Sequence, residues 1–263
     1  GRADSAVLRV WFFDVGQGDS TLIRTPNGTD ILIDGGKGTK VLEELGKALP
    51  FWDRHINMVV LTHPDADHVN GIADVLDRYE VDMVLDAGFS KTITSYDRIK
   101  KTVEKKRISW AIADDDTDFS LGDEVMMDIL WPDQERFVAN IKESNDASVV
   151  FRLSFADVDF LLTADAGSNI EKLLLTENID AEFLHVGHHG SRYSSDSDFL
   201  RAVSPLISII SVGKNSYGHP HPDTLERLTE VGTTILRTDE AGTIEVEVDD
   251  TGSWKIVCEK KCE

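Results

Sequence analysis

His63, Asp65, Asp67 and His68 fall within six consecutive residues, directly behind the apolar run over 56–61. Imidazole nitrogens and carboxylate oxygens at this density, with no thiolate, make a donor set for Zn²⁺, Mn²⁺ or Fe²⁺. A buried strand ending in such a loop delivers its ligands to one spot at a sheet edge. The competing reading is a solvated turn rich in Asp and His, and the placement of the other histidines argues against it. His188 and His189 follow the apolar run over 181–186, and His219 and His221 follow that over 206–212. Asp14, Asp34 and Asp165 stand behind apolar runs in the same way. Strand ends in a layered sheet converge on one edge, so groups far apart in sequence can assemble one metal site. His185 lies inside a run and is expected in the core, and His221 is expected at the surface.

The elements that must position these groups are read from periodicity. Strands are expected over 7–13, 20–24 and 31–33, with a Gly-rich turn at 14–19 and a hairpin signal at Pro26-Asn27-Gly28. Further strands are expected over 56–61, 81–85, 125–130, 148–155, 158–162, 181–186, 206–212, 234–237 and 242–248. Helical spacing, as at Val41, Leu42, Leu45 and Leu49, predicts helices over 39–49, 71–79, 95–107, 170–175, 197–203 and 224–230. Two β-rich halves with interspersed helices predict an α+β layered fold, with two sheets face to face and helices on both outer faces. We expect one domain over 1–263, with its core over about 7–248 and a short C-terminal tail.

The chain of 263 residues is ample for a sizeable core. Its formal net charge of −21, from 48 acidic and 27 basic residues, repels polyanions at long range and excludes a general nucleic-acid coat protein. A metal enzyme acting on phosphodiesters remains open, because bound dications reverse the local potential. No apolar run reaches the roughly 18 residues of a membrane-spanning helix, and no signal peptide is visible. The acidic segment Asp114 to Asp118 reads as a solvated loop. The basic run Lys100 to Arg107 reads either as a solvated helix face or as a phosphate-contacting patch beside the site. Cys258 and Cys262 would pair in an exported protein and stay free in a cytosolic one. An extracytoplasmic or secreted setting is favoured.

Seven segments then carry a resemblance. They are Phe13-Asp14-Val15-Gly16-Gln17-Gly18-Asp19-Ser20, Leu32-Ile33-Asp34-Gly35-Gly36, Thr62-His63-Pro64-Asp65-Ala66-Asp67-His68, Asn145-Asp146-Ala147-Ser148-Val149-Val150, Leu161-Leu162-Thr163-Ala164-Asp165, Val186-Gly187-His188-His189-Gly190-Ser191 and Tyr217-Gly218-His219-Pro220. In this order the chain resembles a metallo-β-lactamase-fold hydrolase, in the branch formed by the C-terminal domain of the competence DNA-uptake protein ComEC. The resemblance implies an αββα four-layer sandwich and one or two divalent ions, Zn²⁺ or Mn²⁺. It places metal ligands on His63, Asp65, Asp67, His68 and Asp165, with Asp165 bridging, and on His188 or His189. It makes Asp67 a ligand or the group that orients the attacking water. It puts His219 at the site as a ligand or a proton donor to the leaving group. Asp14 and Asp34 are expected behind the ligands, and Ser191, Asn215 and Tyr217 as hydrogen-bond donors to substrate oxygens.

Two departures from the wider superfamily stand out. Asp65 occupies the place of a histidine, and the histidine before the bridging Asp has no counterpart, with Asn145-Asp146 near its place. An oxygen-rich site shifts preference toward Mn²⁺. The implied activity is hydrolysis of a phosphodiester, DNA first, by a metal-activated water. Hydrolysis of a small ester, a phosphorylcholine ester, a lactone or a β-lactam is the enzymatic alternative. A non-catalytic metal-bearing module that binds DNA or a partner is the alternative of another class. ComEC domains are attached to a membrane channel, so a channel domain outside this chain is an implied partner.

Overall fold

Alternation along the first strand already separates two layers. Leu8, Val10 and Phe12 enter the core between the sheets, whereas Trp11 and Phe13 enter a second core under helices. The structure is a computed structural model and describes residues 6–89, 91–133 and 141–262. One sheet contains β1 (Val7–Phe12), β2 (Thr21–Arg24), β3 (Asp30–Ile33), β4 (His55–Leu61), β5 (Glu80–Asp86), β6 (Ser109–Ile112), β14 (Ile244–Asp249) and β15 (Trp254–Cys258). Their order is β15-β14-β1-β2-β3-β4-β5-β6. The other sheet contains β7 (Asp118–Ser120), β8 (Met126–Trp131), β9 (Val150–Phe155), β10 (Val158–Leu162), β11 (Phe183–His185), β12 (Ile207–Ile210) and β13 (Thr234–Arg237). Their order is β13-β12-β11-β10-β9-β8-β7.

Helices cover the outer faces. On the first sheet, α1 (Lys40–Ala48), α2 (Ala66–Arg78) and α3 (Thr94–Lys106) bury Val41, Leu45, Ile72, Leu76, Ile99 and Val103 against Leu32, Val59 and Leu61. On the second, α4 (Ser168–Leu174), α5 (Ser197–Val203) and α6 (Pro222–Glu230) bury Ile170, Leu174, Leu200 and Leu228 against Leu161, Leu184 and Ile210. Ile33, Val60, Phe151 and Leu162 lie between the sheets. This is the αββα sandwich that the sequence predicts. Among the described residues no helix is long and apolar enough to cross a membrane.

The two sheets repeat one plan. An antiparallel meander (β1-β2-β3, and β8-β9-β10) leads into parallel strands (β3 to β6, and β10 to β13). Parallel strands end on one edge. The loops after β3, β4, β10, β11 and β12 therefore open together, and they carry the candidate residues.

Three strands were not legible from pattern. β6 and β7 are short and only half-buried, and β15 is a largely exposed edge strand. Residues 254–258 thus pair with β14 instead of trailing as a tail, and Asp118 of the acidic segment belongs to a strand. The helix expected over 71–79 begins at Ala66. Gly71 looked like its boundary but is a packing glycine: a Cβ there would sit 1.9 Å from the Gly35 carbonyl oxygen. Asp67 and His68 are therefore on a first helical turn, not in a loop. The basic run lies at the end of α3, which returns from the carboxyl end of β5 to the start of the parallel β6. That end is opposite the candidate loops. Lys100 lies 4.3 Å from the Tyr96 ring centroid, and Lys106 donates to the Leu76 carbonyl oxygen.

Under α3, the Tyr96 hydroxyl donates to buried Asp86 at 2.8 Å. Burial pushes the Asp86 carboxyl up to about 6, against the Tyr96 hydrogen bond. Between the unfolded value and about 6 the folded chain holds the extra proton, so stability falls as pH rises through that window. Tyr96→Phe removes a donor to the charged form and extends the fall to higher pH. Urea denaturation should show a loss of about 1 kcal/mol at pH 4, growing to about 2 kcal/mol at pH 8. A loss independent of pH would show that the carboxylate does not rely on this hydroxyl.

Candidate metal centre

Asp165 follows β10 through the turn Thr163-Ala164 and is 4% exposed. Its two oxygens face different histidines. Oδ1 lies 3.3 Å from His68 Nε2 and 3.6 Å from His189 Nε2. Oδ2 lies 3.7 Å from His63 Nε2 and 3.8 Å from His188 Nε2. Asp67 joins the first side, with Oδ2 3.5 Å from His189 Nε2. The His63, His68 and His189 Nε2 atoms and Asp165 Oδ1 are buried without a hydrogen-bond partner. Buried polar atoms are normally paired. These separations are longer than good hydrogen bonds, yet they suit atoms that each sit about 2 Å from a shared ion. The donors fit one or two dications, and Asp165 would contribute to holding them.

The remaining ring nitrogens are held from behind. Asp34, fully buried after β3, takes His68 Nδ1 at 2.7 Å, the Thr62 hydroxyl at 2.6 Å and the Thr62 amide at 3.0 Å. Its φ of 55° is left-handed, a conformation that Asp tolerates better than most residues. His63 Nδ1 lies 3.0 Å from the Thr62 hydroxyl and 3.4 Å from the Ser148 hydroxyl. His189 Nδ1 lies 2.9 Å from the Ser211 carbonyl oxygen and 3.1 Å from Asp19 Oδ1. A carboxylate or carbonyl on one ring nitrogen fixes the tautomer and aims the other nitrogen at a metal.

His188 and His189 are consecutive left-handed residues, with φ of 50° and 53°. Such backbone costs about 1–3 kcal/mol per residue and clusters at functional sites. Here it turns both rings toward Asp165, each onto a different oxygen. The sequence offered these two as alternatives, and the structure brings both in.

Electrostatics match the geometry. Burial pushes the His63 imidazole down to about 4, helped by neighbouring His68. Burial opposes charge on His68 and His189 as well, but the Asp165 carboxylate, with Asp34 or Asp19, raises both well above the ordinary value. Asp165 is held well below the ordinary carboxylate value by His189 and His68, which outweigh its burial. Asp67 is held down at about 2, because the His189 hydrogen bond and the His68 charge outweigh burial. The carboxylates Asp19, Asp34, Asp67 and Asp165 thus create a strong local demand for positive charge.

Other singled-out residues stand elsewhere. The structure does not bring Asp65 into the cluster. As the extended residue ahead of α2 it turns its Oδ1 to Lys91 at 2.7 Å and the Ser144 hydroxyl at 2.6 Å. Asp14 is not brought in either; it meets Lys40 at 3.0 Å and the Gly16 amide at 3.2 Å. Ser191 builds the loop after the histidine pair, its hydroxyl 3.3 Å from the Tyr193 amide. His219 is at the cluster, its ring 5.3 Å from that of His188, with Nδ1 buried and unpartnered. Burial pushes His219 down to about 4, with His188 and His189 adding to the effect. Asn145 lies 3.3 Å from both His188 ring nitrogens, while Asp146 caps the Lys142 and Glu143 amides. His185 is buried against the Ser211 hydroxyl at 2.8 Å, and half-buried His221 caps α6. Asp19 was missed by the sequence reading. Its signal was the Gly16-Gln17-Gly18 turn ahead of it, since a Cβ on Gly18 would lie 2.1 Å from the Asp67 carbonyl oxygen.

Residues 13–214 match the Metallo-beta-lactamase superfamily. The chain belongs to this family. The metallo-beta-lactamase fold binds divalent metal ions, and the cluster around Asp165 lies where strand ends of both sheets meet. The chain is similar to ComE operon protein 3 of Bacillus subtilis (strain 168), 28% identical over 258 residues that cover 88% of this chain and 32% of the relative. It is also similar to Competence protein ComA of Neisseria gonorrhoeae, 29% identical over 250 residues, 92% of this chain and 32% of the relative. The chain therefore spans about a third of the length of these curated relatives. Among solved structures, the metallo-beta-lactamase fold protein YhfI from Bacillus subtilis superposes with a TM-score of 0.62 at 10% identity, over 96% of this chain and 100% of that one. That likeness shows the fold. The resemblance to the competence branch, read from motifs alone, agrees with the curated relatives.

Proposed function

We propose that this chain is a metal-dependent phosphodiesterase that cleaves DNA. The observation that carries the reading is the pair of Asp165 oxygens, each facing two histidines, of which His63, His68 and His189 are held through their other ring nitrogens. His63, His68, His188, His189, Asp67 and Asp165 would hold the ions. Bound dications supply an activated water and neutralise charge on a phosphoryl group. The chain's own residues do the rest. Asp34 keeps the proton of His68 on Nδ1, and Asp19 with the Ser211 carbonyl does the same for His189. Asp67 orients the attacking water from the rim of the cluster. His219, with its free Nδ1, hydrogen-bonds the leaving oxygen.

The choice of DNA rests on the competence relatives, since the fold alone does not set a substrate. The same reading makes 1–263 one catalytic unit, because both sheets feed one cluster. It also places the chain outside the cytoplasm, beside a membrane channel part that lies beyond this chain. The greater length of the relatives leaves room for such a part, and the Cys258–Cys262 disulfide supports the extracytoplasmic setting.

The test is a substrate panel with protein loaded with Mn²⁺ or Zn²⁺. We expect cleavage of single-stranded DNA and bis-nitrophenyl phosphate, lost on chelation. Turnover of a lactone or nitrocefin with phosphodiesters untouched would replace this reading by small-ester or β-lactam hydrolysis. Tight metal and DNA binding with no turnover of any substrate would leave a binding module.

A further inference from the structure

The turn after β12 is built by one side chain. Asn215 Oδ1 accepts from the amides of Tyr217 at 3.1 Å, Gly218 at 3.0 Å and His219 at 3.1 Å. Its Nδ2 donates to the carbonyl oxygens of Gly213 at 2.9 Å and His219 at 2.8 Å. The amide is fully committed, so Asn215 shapes the turn and has no donor left for substrate. Gly218 closes the turn at a φ of 80°. This rigid frame presents two neighbouring rings. His219 faces the cluster, whereas Tyr217 is 73% exposed with its ring 5.8 Å from that of His219 and inclined by 33°.

An exposed tyrosine needs no explanation on a mobile loop. On a turn pinned by five hydrogen bonds it is a preformed surface, and a rigid aromatic gives contact area at low entropic cost. What it can offer is its face. A ring beside the reacting phosphate stacks a nucleobase regardless of sequence. Bases inside a duplex are already covered on both faces, and unpaired bases are not.

We propose that Tyr217 is a stacking platform for an unpaired nucleobase next to the scissile phosphate, and that it makes the centre select single-stranded over duplex nucleic acid. This deepens the phosphodiesterase reading and rests on it. The exposed Lys214, in the same turn, adds a cation beside the strand path in an otherwise acidic chain.

The test compares wild type, Tyr217→Ala and Tyr217→Phe on a single-stranded oligonucleotide and on the same strand with abasic sites around the cut. Loss of base stacking on alanine substitution corresponds to roughly 5- to 150-fold. Tyr217→Ala should raise KM on the normal strand within that range, with kcat little changed, and should not affect the abasic strand. Tyr217→Phe should behave as wild type. Equal KM for Tyr217→Ala and wild type, or an equal loss on both strands, would overturn the proposal. Binding of an oligonucleotide carrying 2-aminopurine separates the two readings. Quenching by wild type but not by Tyr217→Ala, without cleavage, would keep the platform and remove the phosphodiesterase. Neither quenching nor cleavage would remove both.

Discussion

Asp165→Ala should abolish metal-dependent hydrolysis and uncouple the fold from metal. Substitution of a group that merely supports a ligand costs about 10–100-fold in affinity or activity. Asp165 is not such a support; its two oxygens face four histidines at 3.3–3.8 Å. Its loss would take away the one carboxylate that all four histidines face, where an ion would be held, and would leave the histidines to repel one another. We expect activity at the detection limit and elemental analysis with less than one ion per chain. The thermal readout is independent of any substrate. A dication at 100-fold excess over its Kd stabilises by about 2.7 kcal/mol, so wild type should melt several degrees higher with Mn²⁺ or Zn²⁺ than with a chelator. Asp165→Ala should show no such gap. Asp165→Asn keeps the shape and a single carbonyl oxygen, so it can serve one position and should retain part of the shift. A full metal-induced shift in Asp165→Ala would mean that the ions sit elsewhere.

The sequence carried the fold further than the site. The layers were legible because two β-rich halves carry interspersed helices, and the buried strands end in Asp and His. β6, β7 and β15 were not, because short or edge strands bury too little to impose a pattern. Within the site, His63 and His68 could be read from spacing. The choice between His188 and His189 could not, because it depends on two successive left-handed residues. Asp65 leaves the cluster and Asp19 enters it, behind His189, for a related reason. Asp65 is near in sequence, but the extended backbone ahead of α2 aims its carboxylate at Lys91. Asp19 is distant in sequence and arrives because Gly18 lets its turn press on the backbone of Asp67. Spacing along the chain reports on groups that one element delivers, and close backbone approach between elements delivers the others.

Asp34 separates folding from metal binding most sharply, because two substitutions should fail differently. Asp34→Ala strips the Thr62 amide, the Thr62 hydroxyl and His68 Nδ1 of their acceptor in a fully buried place. Each buried group left unpaired costs about 1–3 kcal/mol, and alanine at a left-handed φ adds about 1–2 kcal/mol. Against the roughly 5–15 kcal/mol that typical domains possess, the variant should be largely unfolded near physiological temperature, as read by circular dichroism. Asp34→Asn is milder in fold. Asparagine accepts the left-handed backbone, and its Oδ1 still takes the Thr62 amide. Its Nδ2, however, now points a donor at His68 Nδ1. That nitrogen must then accept, the ring proton moves to Nε2, and an N–H faces Asp165 where a lone pair is required. Asp34→Asn should therefore melt within a few degrees of wild type in chelator, yet bind Zn²⁺ or Mn²⁺ about 10–100-fold more weakly. Wild-type metal affinity in a folded Asp34→Asn would show that the His68 tautomer is set by something other than this carboxylate.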